Sequence, residues 1–167
     1  VNLAGGTVQN GTLTSTNGIV STGGAISGIT GSTALTVTAG ITILSGTNSY
    51  TGGTTVTGGT LEVGDINNPN ASLAGDVTVA SGGALAGHGT VGGDVDNMYG
   101  GIVSPGGSIG TLSIGGNYAQ GSASTLAIEV SPTAASKLVV GGGATLSGTL
   151  ALTYDPGVYT AKTYTIV

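Results

Sequence analysis

Residues 44–64 read LSGTNSYTGGTTVTGGTLEVG, and this stretch decides the fold. Its apolar side chains fall at Val56, Leu61 and Val63, with Thr between them and the pair Gly58-Gly59 interrupting the run. A period of two marks a strand with one covered face, and paired glycines mark a tight corner. A helix is excluded, because no apolar stripe spaced three and four residues apart survives so much Gly and Thr. A matching frame, Val, small residues, Gly-Gly, one residue, then Ile or Leu, returns as VSTGGAI from Val20, VASGGAL from Val79 and VSPGGSI from Val103. Looser copies are VTAGITI from Val37 and VGGGATL from Val140. The copies lie about 17 to 24 residues apart with one longer gap near the end, and such a period signals a stacked solenoid.

Working outward, residues 1–43 give weak strands around Thr12 to Thr14, Ile19 to Val20, Ala34 to Thr38 and Ile41 to Leu44. Each buries too little apolar surface to offset its ordering entropy alone, so neighbouring turns must supply the contacts. Stacked in register, Val37, Val56 and Val79 lie above one another about 4.8 Å apart, with Thr and Asn ladders facing outward. The frame further places Val20, Val56, Val79 and Val103 on one axial file. Three short strands per turn, closed by Gly corners, make an all-β parallel β-helix.

Composition agrees with a narrow core. The 167 residues contain neither Phe nor Trp, and aromatics are 4%, so the large fillers of a globular interior are missing. The 35 Gly follow no Gly-X-Y period, which excludes collagen, and 38% apolar residues argue against disorder. Two Lys, no Arg and a net charge of -5 leave no basic patch to neutralise phosphates, so neither nucleic acid nor anionic lipid is expected as a partner. Without Cys there are no disulfides or thiolate metal sites. The chain begins at Val1 rather than Met, and it is read as a piece of a longer protein.

The run from Gly46 through Val56 into Gly58-Gly59-Thr60-Leu61 resembles the passenger-associated transport repeat of bacterial autotransporters. Residues 85–118, LAGHGTVGGDVDNMYGGIVSPGGSIGTLSIGGNY, are similar to the junction region of that family, and STLAIEV, KLVV, ATLSGTLALTY and YTIV resemble its autochaperone region. One departure is Ala135-Ser136-Lys137, where many relatives place an acidic residue ahead of the basic one. The resemblance implies a right-handed β-helix, with rungs of the passenger stem over 1–86 and the autochaperone junction and cap over 87–167. It also implies folding and cap motif residues: Gly89, Val91, Gly92, Gly93, Ser104, Pro105, Gly106, Ser108, Ile109, Gly110, Thr111, Leu112, Tyr118, Leu138 and Tyr164. Extracellular or cell-surface placement after periplasmic transit, and a β-barrel translocator of the outer membrane as partner, are implied in the same way.

The tail carries its own pattern. Leu126, Ile128 and Val130 alternate with Thr125, Ala127 and Glu129, and Leu150, Leu152 and Tyr154 do likewise. Pro132 to Ser136 and Asp155-Pro156-Gly157 are turn signals. Together they predict antiparallel hairpins that close the open end of the stack and prevent fraying.

Candidate chemistry is sparse. His88, the single His, sits between Gly87 and Gly89 with no nucleophile motif beside it, so no hydrolase triad is expected. Asp94 and Asp96 alternate along one strand and, with Asn97, suggest at most a weak Ca²⁺ site; Asp65 with Asn67, Asn68 and Asn70 has a calcium-loop composition whose spacing Pro69 breaks. Gly115-Gly116 lacks the Lys and helix of a phosphate cradle. No cofactor, metal, catalytic residue or small-molecule substrate is expected, and the segment is expected to be monomeric. Three functions are weighed: a secretion and folding scaffold, an adhesive or self-associating cell-surface β-helix meeting a host cell, a neighbouring cell or itself, and a β-helix enzyme such as a polysaccharide lyase. The third lacks the Arg, and all but two of the Lys, that such chemistry uses.

Overall fold

A computed structural model describes all of residues 1–167. The chain is all β, without a helix, and winds as a parallel β-solenoid whose strands fall on three faces. The first face stacks eight strands: Asn2–Leu3, Ile19–Ser21, Leu35–Val37, Thr54–Val56, Val77–Val79, Val95–Asn97, Tyr118–Gln120 and Ala144–Thr145. The second face stacks Thr7–Leu13, Gly24–Gly31, Ile41–Ser45, Gly59–Val63, Gly83–Gly87, Ile102–Pro105, Thr125–Val130 and Thr149–Tyr154. Thr47–Tyr50, Ser72–Leu73, Thr90–Val91, Thr111–Ile114 and Lys137–Val140 make the third. The second and third faces join through Gly24–Gly31, which bends to pair with Ile41–Ser45 along its first half and with Ser49 and Tyr50 along its second.

That bend is set by backbone conformation. Asn10, Gly28 and Gly46 stack at one corner with φ of 54°, 65° and 62°. Gly enters this left-handed region without a Cβ penalty, and Asn is among the few other residues that tolerate it. At Gly28 a Cβ would also press on Asn10 Oδ1, 2.7 Å away.

Registered pairing turns the period-two pattern into axial files. Val37, Val56 and Val79 stack directly, as the sequence predicts, and are fully buried. Leu61, Leu85, Val103 and Leu126 form a second file, and Leu73, Val91 and Ile114 a third. Together with their neighbours these residues form one continuous core cluster from Leu3 to Leu138. The outward Thr column also forms: Thr36, Thr55 and Thr78 lie in register on the first face.

Two expectations need correcting. Val20 does not share the file of Val56 and Val79; it points outward opposite Thr36, and Ser21 occupies the inner position below Val37. Val103 lines the second face instead of the first, stacked on Leu85. The frame misleads because Gly-Gly corners occur between every pair of faces, so one motif can precede different walls. The antiparallel cap likewise shrinks to a single bridge, Val130 with Ala135. The long tail strands pair in parallel instead: Thr125–Val130 with Thr149–Tyr154, and Thr111–Ile114 with Lys137–Val140. Alternation fixes which side chains face inward but does not say which strand is the neighbour. After Asp155 no further strand forms.

Candidate functional site: the C-terminal rungs and their terminal strap

The residues singled out for folding lie on the upper rungs. Val91 and Leu112 are buried wall positions, Leu112 pairs with Leu138, and Thr111 faces Lys137. Gly92 and Gly93 make the corner between the third and first faces, while Gly89 sits against Ala71 of the rung below. Ser104 points outward from the strand that ends at buried Pro105, whose register partner is Gly87. The following turn, Gly106 to Gly110, uses φ of 88° and 65° at Gly106 and Gly107. Here Ser108 O accepts a hydrogen bond from Ser136 Oγ at 3.2 Å, Ile109 is half-buried and Gly110 lies against the His88 ring.

Tyr118 centres a buried polar network that the apolar pattern did not announce. On the first face the file of Val37, Val56 and Val79 continues as Asn97 and Gln120. The Tyr118 hydroxyl donates to Gln120 Oε1 at 2.9 Å and accepts from Asn97 Nδ2 at 3.3 Å. Asn97 Nδ2 also donates to Thr125 O at 3.0 Å, and Gln120 Nε2 to the Ser124, Ser147 and Thr149 carbonyls. Burial pushes the Tyr118 phenol up to about 12, with the Asn97 contact opposing. Tyr50, equally enclosed and bonded to Thr54 Oγ1 at 2.8 Å, is raised by the same cause.

Above the last rung, residues 155–167 lie as a strap across the open end. Tyr164 Oη donates to Ser131 O, and Tyr159 Oη to Val130 O, each at 2.8 Å. Lys162 Nζ donates to Thr133 O at 2.7 Å and lies 5.1 Å from the Tyr164 ring centre. Leu138 N–H donates to Ile166 O at 2.8 Å, and Tyr154 meets Tyr159 edge to face at 5.7 Å. Cover is incomplete: Leu150, Leu152 and Tyr154, which extend buried files, are 49%, 44% and 61% exposed. Two adjoining apolar cavities of about 490 and 370 Å³ remain between strap and strand.

The candidate ion sites do not assemble. Asn97 faces inward and cannot join Asp96, which points outward, and Asp94 precedes the strand and holds the backbone N–H of Asn117. Asp65 Oδ1 is occupied by Asn67 N–H, Asn68 N–H and Asn68 Nδ2 at 2.8 to 2.9 Å, and the Asn68 amide chiefly holds this carboxyl below its usual range. Glu62 is raised by partial burial and by Asp65, with His88 opposing. Nowhere do three His, Asp or Glu side chains converge as metal ligands.

Residues 39–63 match the family model of the passenger-associated-transport-repeat. The matched segment makes one complete turn, Ile41–Ser45, Thr47–Tyr50 and Thr54–Val56, and returns to the second face at Gly59–Val63. A transport repeat that forms one rung of a parallel β-solenoid fits an autotransporter passenger β-helix. No curated protein sequence matches the chain.

Proposed function

We propose that this chain is the carboxyl-proximal stem of an autotransporter passenger, non-catalytic in itself, and that residues 87–167 nucleate its folding outside the outer membrane. The observation that carries the reading is the coincidence of the transport repeat with one full turn of the stack. A solenoid grows by nearest-neighbour contacts, so a completed rung offers the next stretch of chain both an unpaired strand edge and apolar files. At roughly 0.05 to 0.15 kcal/mol per residue, a turn of about 20 residues contributes on the order of 1 to 3 kcal/mol, enough to oppose backsliding of a threaded chain. The buried network around Asn97, Tyr118 and Gln120 and the strap from Asp155 place the most directional contacts on the rungs that exit first if the chain is led by its carboxyl side. Deletion of residues 87–167 from the full-length protein tests this. Loss of surface display and of protease resistance is expected; unchanged display and resistance would end the proposal.

A second reading is self-association through the second face. Ile41 and Ile102 are 57% and 41% exposed there, in one outward column with Thr60, Ala84 and Thr125, and that column carries no charge. Protein that aggregates cells or self-associates at high concentration, with I41S/I102S abolishing it, would support this reading; persistent monomer would count against it.

A further inference from the structure

One corner of the solenoid carries a second ladder that runs in only part of the stack. Residues Gly18, Ala34, Gly53, Asp76, Asp94, Asn117 and Gly143 each stand one position before a first-face strand, in successive rungs. Through the whole column, backbone N–H groups of one rung donate to the corner carbonyl of the next, as in Leu35 N to Gly53 O at 3.1 Å and Val77 N to Asp94 O at 2.9 Å. From Asp76 onward the side chains return a bond in the opposite sense. Asp76 Oδ1 accepts from Asp94 N–H at 2.9 Å, Asp94 Oδ1 from Asn117 N–H at 2.7 Å, and Asn117 Oδ1 from Gly143 N–H at 2.9 Å. Asn117 Nδ2 adds a donor to Asp94 Oδ1 at 3.2 Å. The Gly before each upper member is part of the device: a Cβ at Gly93 or Gly116 would collide with the carboxylate below.

We propose that Asp76, Asp94 and Asn117 are positioning residues that fix the register in which one rung settles on the next. The stack needs such marks. Its Val and Gly-Gly frames are nearly interchangeable, and a strand displaced by two residues keeps its apolar side inward while losing its native partners. Apolar files tolerate that displacement. A carboxylate that receives one particular N–H discriminates, because displacement exchanges a charge-assisted bond for weaker ones to water at this exposed corner. Gly18, Ala34 and Gly53 carry no such acceptor, so the lower rungs take their register from the rung already formed above them. The inference deepens the folding-scaffold reading and rests on it only for its cellular consequence.

The test uses the purified 167-residue chain, so its failure is separable from a failure of surface display. In D94A, exchange of the Asn117 amide is expected to accelerate about tenfold or more, while D94N, which keeps a side-chain oxygen, stays within about threefold of wild type. Register itself is read by disulfide trapping, for which the chain supplies no background Cys. The native outward partners Asp96 and Ala119, on the two rungs that the Asp94 carboxylate joins, define D96C/A119C, and M98C/A119C reports a two-residue slip. The slipped pair should cross-link several-fold more in the D94A background than in wild type or D94N. Equal slip yields in all three, or unchanged Asn117 exchange in D94A, overturns the proposal. Should D94A not fold, folding of D94N supports the assignment and failure of both overturns it.

Discussion

Tyr118→Phe probes the buried network with a change of one oxygen. The Tyr118 hydroxyl both donates to Gln120 Oε1 and accepts from Asn97 Nδ2, so its removal leaves a buried acceptor and a weakened donor. At pH 7 such a loss costs about 1 to 3 kcal/mol. High pH reverses part of it. Burial raises the folded phenol from 10.0 to about 12, so the folded state holds its proton more tightly than the unfolded state. Stability from this group is therefore complete below pH 10 and is lost as pH rises towards 12. At pH 11 linkage through Tyr118 takes about 1.4 kcal/mol from wild type and nothing from the Phe variant, while Tyr50, raised by the same cause, weakens both alike and cancels in the difference. Urea unfolding followed by circular dichroism should thus give a difference at pH 11 that is smaller by about that amount than at pH 7. A variant as stable as wild type at pH 7, or a difference that does not change between the two values, would refute the assignment of Tyr118 to a buried hydrogen-bonded network.

Three further outcomes follow from the same structure. Leu85→Ala, in the middle of the second-face file and fully buried, should cost about 2 to 5 kcal/mol in urea titration, because flanking Leu61 and Val103 are fixed by backbone pairing and cannot close the void. Removal of residues 155–167 should leave the parallel-sheet dichroism intact but increase binding of a hydrophobic dye, since Leu150, Leu152 and the Val130 end of the core lose their cover. Glu62 is raised above 4.5 by burial and by Asp65, so its ionisation weakens the folded state as pH rises through that region; E62Q should flatten this decline in thermal midpoint, and an unchanged pH profile would contradict it.

Much of the architecture can be read from the residues, and the limits of that reading have physical causes. Thr36-Val37-Thr38 and Thr55-Val56-Thr57 alternate cleanly, and the turn length matches a rung, so the stacking of Val37, Val56 and Val79 is legible. Val20 and Val103 were not assignable by the same rule, because a corner motif marks a change of wall without saying which wall follows. The tail strands alternate equally well in parallel and antiparallel sheets, and only the tertiary pairing of Thr125–Val130 with Thr149–Tyr154 decides. The polar core at Asn97 and Gln120 breaks the apolar file, so its inward direction is hidden; the signal that could have found it is its spacing from Val79 by one turn. Asp76, Asp94 and Asn117 were visible as Gly-Asp and Gly-Asn pairs before Val77, Val95 and Tyr118, a repeat easily taken for solvated turns.

A folding scaffold led by its carboxyl side requires that the upper rungs form before the lower ones. Pulsed hydrogen exchange during refolding of the purified chain measures this order, with amides of Leu126 to Val130 and of Asn117 compared against those of Leu35 to Val37 and Thr42 to Leu44. Earlier protection of the upper set is the predicted result. Simultaneous protection, or protection of the lower rungs first, would contradict it.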